Sequence, residues 1–297
     1  MPEQNHRIAV FGSTGMLGHK LVEALNSAGF EAVPVPEDKV DIRRRNDVET
    51  AVSEIRPSFV INAAAYTDVD GCENNSDLAF DVNAAGAGNI ARSAEDAGAP
   101  NLFISTDYVF DGRKKTPYVE TDSPNPTGIY AESKFEGEKA VMRESDRWFI
   151  IRTSWLFGPG GKNFVDTISN LAATRDSVNV VNDQTGCPTY TAHLAAGVTR
   201  ILKIYIEKNY GETGIYHLCG AGSCSWFEFA KKISDFTPGE KKAKILPVST
   251  SEYADLIKKK MAHRPFYSVL STDKVKKNYG LVLPHWIDSL SEYLNID

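Results

Sequence analysis

The chain has 297 residues, 42% hydrophobic and 24% charged, which excludes a collagen-like or disordered protein and allows a core that needs no disulfides or structural metal. A net charge of −6 supplies no summed positive field for a nucleic-acid backbone, so nucleic acid is not an expected partner. The polar stretch Met1 to Arg7 leads straight into an apolar strand, and no apolar run approaches the ~20 residues of a membrane span, so neither a signal peptide nor a transmembrane helix is expected and the reading is cytoplasmic.

From the N-terminus to about residue 155, short apolar runs alternate with segments of helical period. Strands are expected at Ile8–Phe11, Ala32–Val35, Phe59–Ile61, Leu102–Ser105 and Phe149–Thr153, and helices at Leu17–Ala28, Asp47–Ile55, Asp77–Ala97 and Tyr130–Glu144. This alternation demands right-handed crossovers, hence an α/β fold with a Rossmann-type, doubly wound parallel sheet; continuous apolar strands suit a sheet covered on both faces. Beyond Trp155 the pattern loosens into Gly- and Pro-rich loops, with helices expected near 163–175, 190–207, 226–235, 251–260 and 285–294. We read residues 1–155 as a dinucleotide-binding domain and 156–297 as mainly a smaller substrate-binding lobe, with Ile215–Leu218 expected to return to the main sheet. Lys258-Lys259-Lys260 reads as a solvated helix face, and Cys72, Cys187, Cys219 and Cys224 lack paired spacing and read as buried thiols.

The first strand runs into Gly12-Ser13-Thr14-Gly15-Met16-Leu17-Gly18, a GxxGxxG opening a helix. Glycines let the backbone turn tightly and approach a pyrophosphate, whose charge then meets the unpaired N–H groups at the helix N-terminus. After the second strand, Pro36 stands where an acid that binds a ribose 2′-hydroxyl is usual, and Arg43, Arg44 and Arg45 follow Asp41-Ile42. That pattern tilts the expected cofactor to NADPH, with NADH as the alternative.

Tyr130 and Lys134 lie four apart on one helix face, where an ammonium beside a phenol favours its ionised form and suits the pair to proton exchange with a substrate oxygen. The helix follows the fourth strand, whose C-terminal end carries Ser105-Thr106-Asp107-Tyr108, and in such sheets ligands bind outside the carboxyl ends of the strands. Thr106 should project there, Ser105 should face the other way, and Asp107 is either a turn or capping acid or a substrate contact.

These motifs, with Asn62-Ala63-Ala64-Ala65-Tyr66-Thr67, resemble the extended short-chain dehydrogenase/reductase superfamily. Within it, Ala64 to Asp70, Arg152-Thr153-Ser154-Trp155, Asn182-Asp183-Gln184-x-Gly186-x-Pro188-Thr189, Tyr216-His217-Leu218 with Ser225-Trp226, and Arg264-Pro265-x-x-Ser268-x-Leu270 resemble the dTDP-4-dehydrorhamnose reductase family. The resemblance implies NAD(P)H-dependent reduction of the C4 keto group of a dTDP-4-dehydro-6-deoxy sugar. Tyr130 is then the general acid, Lys134 holds Tyr130 acidic and anchors the nicotinamide ribose, and Thr106 polarises the carbonyl. It further assigns Gly12, Gly15, Met16, Leu17 and Gly18 to the pyrophosphate, Asp41 and Ile42 to the adenine, and Ala63, Ala65, Tyr66 and Thr67 to the ribose and nicotinamide path. Asp107, Tyr108, Trp155, Asn163, Gln184 and Arg264 are implied to meet the dTDP-sugar, Trp155 as an apolar wall and Arg264 as paired donors to a diphosphate.

Where some family members carry carboxylates that hold a metal between subunits, this chain has Lys20 and Tyr190-Thr191-Ala192. No essential metal is therefore expected, His19 and His193 read as capping or surface residues, and a metal-bridged homodimer is not expected. Two alternatives remain at this point: a reductase of another 4-keto nucleotide sugar, and a non-catalytic NADP-binding subunit resembling the regulatory subunit of methionine adenosyltransferase.

Overall fold

The computed structural model describes residues 6–208, 212–238 and 242–296. In chain order its elements are β1 (Arg7–Phe11), α1 (Met16–Ser27), β2 (Glu31–Val35), α2 (Arg45–Ile55), β3 (Phe59–Asn62), α3 (Val69–Cys72), α4 (Ser76–Phe80), a π-turn (Asp81–Ala85), α5 (Gly86–Asp96), β4 (Asn101–Thr106), a 3₁₀ turn (Asp107–Val109), α6 (Ile129–Glu144) and β5 (Trp148–Thr153). There follow β6 (Leu156–Phe157), α7 (Phe164–Thr174), β7 (Ser177–Val181), β8 (Thr185–Gly186), β9 (Thr189–Tyr190), α8 (Thr191–Lys208), β10 (Gly214–His217), β11 (Cys224–Ser225), α9 (Trp226–Phe236), β12 (Lys244–Val248), α10 (Thr250–Ile257), α11 (Asp273–Tyr279) and α12 (Trp286–Tyr293).

Six strands form one sheet in the order β10-β5-β4-β3-β1-β2, every pair parallel. Alternate residues of each strand enter different cores, which is why the strands read as unbroken apolar runs. Ile8 and Val10 pack with Leu17, Leu21 and Leu25 of α1 and Leu194, Val198 and Ile201 of α8, while Ala9 and Phe11 pack with Val48 and Val52 of α2 and Ile90 of α5. Pro34 fits within β2 because that strand lies at the sheet edge. A separate core of Phe157, Val165, Ile168, Val180, Phe229, Ile233 and Trp286 holds α7, α9 and α12 together.

The Rossmann-type architecture expected from the sequence is present. Residues 214–217 do return to the sheet as its sixth strand, and α8, from the C-terminal half of the chain, also covers this sheet. Three features depart from the sequence reading. The helix expected over Asp77–Ala97 is interrupted by the π-turn. The helix expected over 251–260 ends at Ile257, with Lys258 in the left-handed conformation, so the exposed lysine run lies beyond it. The parallel β7–β12 pair and α11 were not expected at all. The four cysteines are buried and unpaired.

Candidate active site

Chain direction across the sheet reverses between β1 and β3, and such a switch point opens a crevice at the strands' carboxyl ends. The two loops there touch. Gly12, at φ +73°, approaches Ala64 so closely that a Cβ would lie 2.5 Å from the Ala64 nitrogen, and a Cβ on Gly18 would run into the Gly12 carbonyl. Gly15 is different: its Cβ would sit 3.4 Å from the Gly12 carbonyl, and its surface is exposed to the crevice. It is the N-cap of α1, with no side-chain cap and no acid in the first turn, so the leading N–H groups of the helix are left for an anion.

Two cavities share Gly15, Ala63 and Ala65 and together make one channel across the sheet. One, of about 700 Å³, is lined by Gly12, Val35, Glu37, Asp38, Asp41, Ile42, Arg43 and Tyr66. Asp41 takes Arg43 Nε and Nη2 at 2.8 and 2.7 Å, which holds its carboxyl down at about 2 and balances its charge. The other, of about 500 Å³, is lined by Met16, Leu17, Gly18, Thr67, Thr106, Asp107, Tyr108, Tyr130, Lys134, Trp155 and Asn163, and by Lys162, Phe164 and Trp226. This arrangement fits a dinucleotide: a diphosphate at an uncapped helix end, an adenosine side without an unbalanced carboxylate at Asp41, and polar side chains at the far end.

Those polar groups are buried. Thr106 Oγ1 donates to Asp107 Oδ1 at 3.1 Å and accepts from the Tyr108 N–H at 3.2 Å. Tyr130 stands edge-on to Tyr108 with ring centres 5.9 Å apart. Burial raises the Tyr130 phenol above its ordinary value, with the Thr106 hydroxyl acting in the opposite sense. Lys134 donates from Nζ to the Ile104 carbonyl at 2.7 Å and lies 4.0 Å from the Phe103 ring centre; burial pulls it down to about 7. Burial is the largest influence on Tyr130 and holds the phenol neutral. A neutral phenol is the form that can donate a proton.

Asp107 is buried, and burial pushes its carboxyl up to about 6. A folded value above the ordinary 3.8 means that folding favours the protonated form. That contribution is full below about pH 4 and is lost as pH rises through about 6. Asp107→Asn should therefore raise stability at pH 8 by roughly 3 kcal/mol and leave it nearly unchanged at pH 4; equal gains in denaturation at the two pH values would contradict this.

Four other expected residues lie less simply than the sequence suggested. Trp155 reaches the cavity with a left-handed backbone (φ +46°) and stacks on Trp226 at 3.5 Å, so the apolar wall is a pair of indoles. Asn163 lines the cavity but is occupied structurally: its Oδ1 caps α7 through the Asp166 N–H at 3.0 Å, and Nδ2 donates to the Gly158 carbonyl at 2.9 Å. Arg264 stands beside Tyr108, but its Nη1 donates to Asp70 Oδ1 at 3.1 Å and to the Ala262 carbonyl at 3.0 Å, so its charge is already balanced. Gln184 lines neither cavity. It is buried, with Nε2 donating to Thr250 Oγ1 at 2.9 Å at the start of α10. Gln184→Ala should cost about 1–3 kcal/mol in thermal or denaturant unfolding and leave kcat within about twofold; a fall in kcat without loss of stability would restore it to the substrate site.

Asn83 was missed. Fully buried in the π-turn, it accepts from the Tyr66 N–H at 2.8 Å and donates to the Tyr66 carbonyl at 3.1 Å and Ser133 Oγ at 3.0 Å, tying the Asn62–Thr67 loop to α6. The one signal for it was an Asn among the small and apolar residues of Val82–Gly88. Trp226, also missed as a lining residue, followed the Ser225 that caps α9.

Where some family members carry metal-binding carboxylates, Lys20 pairs with Glu23 at 2.7 Å; nearby, His193 contacts Ser289 and Glu292. Among the described residues no group of three or more His, Cys, Asp or Glu side chains is placed to hold a metal, and no helix is long and apolar enough to cross a membrane.

A channel that crosses a parallel sheet at its switch point and ends on a Tyr–Lys pair belongs to the extended short-chain dehydrogenase/reductase class. A family model described as RmlD substrate binding domain matches residues 6–297. The chain is 38% identical to the spore coat polysaccharide biosynthesis protein SpsK of Bacillus subtilis (strain 168), covering 97% of this chain and 96% of that protein. It is 35% identical to dTDP-4-dehydrorhamnose reductase of Escherichia coli (strain K12), over 97% of each. A crystal structure of dTDP-4-dehydrorhamnose reductase from Bacillus anthracis str. Ames in complex with NADP matches with a TM-score of 0.91 and 38% identity, over 99% of this chain and 100% of that one. The chain belongs to the dTDP-4-dehydrorhamnose reductase family.

Proposed function

We infer that the protein reduces the C4 keto group of dTDP-4-dehydro-6-deoxy-L-mannose to give dTDP-L-rhamnose, using NADPH, with NADH also accepted. The observation that carries this reading is the meeting of Thr106, Tyr130 and Lys134 at one end of the dinucleotide channel in a chain matched along its length by such reductases. The alternative of a non-catalytic subunit is disfavoured because a binding module has no need of these three groups together.

The reduced nicotinamide supplies a hydride to C4 when bound. The protein's own groups do the rest. The Tyr130 phenol donates to the keto oxygen, joined by the Thr106 hydroxyl as its proton turns from Asp107 to the substrate, and as negative charge develops there Tyr130 gives up its proton, so that the oxygen ends as a hydroxyl. Lys134, on the same face of α6, stabilises the phenolate left on Tyr130 and donates to the ribose. The Trp155–Trp226 pair and Phe164 offer the sugar an apolar wall that limits water. Asp107 and Tyr108 contact the sugar, and Arg264, balanced by Asp70, acts beside Tyr108. The Asp41–Arg43 pair supports acceptance of a 2′-phosphate, since the carboxylate's charge is balanced before the cofactor arrives.

In this reading residues 156–297 are mainly the substrate lobe, the enzyme is cytoplasmic, its partners are small molecules and not nucleic acid, and any homodimer forms without a metal bridge. Activity should accordingly survive treatment with a chelator; loss rescued by Mg²⁺ would contradict this. Identification of the product tests the sugar assignment. Co-elution with dTDP-L-rhamnose is expected, while the C4 epimer would make the chain a reductase of the alternative stereochemistry.

A further inference from the structure

One turn beyond Lys134, α6 carries a carboxylate with no place in the mechanism above. Glu138 is fully buried, accepts from Ser105 Oγ at 2.6 Å, and is gripped by Arg152, whose Nε and Nη2 donate at 2.9 and 2.7 Å. Arg152 is itself 1% exposed and lies against the Phe110 ring. A buried ion pair is weak ground for stability, because desolvating two charges offsets most of their attraction and an apolar pair of similar volume often does as well. The position of this pair therefore asks for another account.

That position is specific. Tyr130, Lys134 and Glu138 follow one another at intervals of four on one face of α6, and each meets consecutive residues at the end of β4: Thr106 beside Tyr130, the Ile104 carbonyl on Lys134, and Ser105 on Glu138. Across the sheet Ser105 is in register with Arg152, and Thr106 with Thr153, so the carboxylate also ties the catalytic face of α6 to β5. Lys134 is taken out of water in this place, which disfavours its ammonium, and Glu138 is the charged group that acts in the other direction.

We propose that Glu138, held by Arg152 and Ser105, is a positioning residue that keeps Lys134 a cation in the catalytic site. The inference rests on the functional reading above. Of the other titratable groups nearby, Tyr130 is neutral, Cys72 is a buried thiol raised to about 11, and Arg152 repels an ammonium. Asp107 is charged above about pH 6, but it is bonded by the Thr106 hydroxyl, and the carboxylate whose charge acts on Lys134 is Glu138. His217, which faces Arg152, is held neutral by burial, down to about 3.

The test compares the unmodified protein with Glu138→Gln, which keeps the shape and removes the charge. A second variant, Glu138→Gln with Arg152→Gln, removes the cation that the first leaves stranded and guards against failure to fold. Equilibrium affinity for NADPH, kcat with the keto sugar, and thermal stability are each measured from about pH 6 to pH 9. We expect the alkaline fall in affinity and in kcat to move about one pH unit lower in Glu138→Gln. In the double variant stability should recover while the fall stays below that of the unmodified protein. An unmoved alkaline fall in both variants, or its full return in the double variant, would overturn the proposal and leave Glu138 a purely structural residue. Should the unmodified protein bind NADPH and reduce no keto sugar, the functional reading fails, and the affinity profiles still decide the role of Glu138.

Discussion

Tyr130→Phe should bind NADPH as the unmodified protein does and lose turnover by about 10²- to 10⁴-fold, the usual worth of a positioned general acid. The reason is local. The substitution removes one hydroxyl from a buried ring packed edge-on against Tyr108 and leaves the channel lining otherwise unchanged. Burial keeps that phenol protonated, so in the unmodified protein the proton is available at any pH at which the protein is folded and Lys134 is charged. The loss should fall on kcat and kcat/KM alike, since the proton is needed only in the transition state. Unchanged turnover would mean that the general acid is another group, and Asp107, a buried carboxyl lining this cavity, would be the first to examine.

Gly12→Ala should destabilise the protein by about 2–5 kcal/mol in denaturant unfolding, combining a left-handed backbone that an L side chain resists with a clash against main-chain atoms that cannot turn aside. The clash is with the Asn62–Thr67 loop, which Asn83 pins through both the N–H and the carbonyl of Tyr66. Any relief must therefore displace the floor of the channel, and cofactor affinity should fall with stability. Gly15→Ala is the control. Its methyl group meets only the Gly12 carbonyl at 3.4 Å, so the fold should persist within about 1 kcal/mol while the group projects toward the channel and weakens NADPH binding. If Gly12→Ala unfolded like the unmodified protein, the close approach of the two loops would not be what shapes the site.

The sequence disclosed those parts of the molecule whose physics is local. Five strands and the helices between them showed because all but the edge strand β2 are buried on both faces, and the phosphate loop showed because glycine spacing reports a backbone constraint directly. What lay hidden depends on partners far apart in the chain. Arg264 looked like a free cation for a diphosphate until Asp70, 194 residues earlier, was found bonded to it. Gln184 read as a substrate contact, yet it is fixed by Thr250, 66 residues on. The π-turn leaves an apolar spacing close to that of an ordinary helix, so Asn83 gave only a faint signal, and the Tyr130–Lys134 spacing could not say whether burial or charge would govern the phenol.

The central claim is that the channel and the Thr106–Tyr130–Lys134 set form a working reductase. Mixing the purified protein with NADPH and enzymatically generated dTDP-4-dehydro-6-deoxy-L-mannose, and following absorbance of the reduced cofactor, tests it most directly. Oxidation of NADPH in proportion to the keto sugar supplied, and none without it, is the predicted result. No oxidation above the sugar-free control, with either NADPH or NADH, would contradict it.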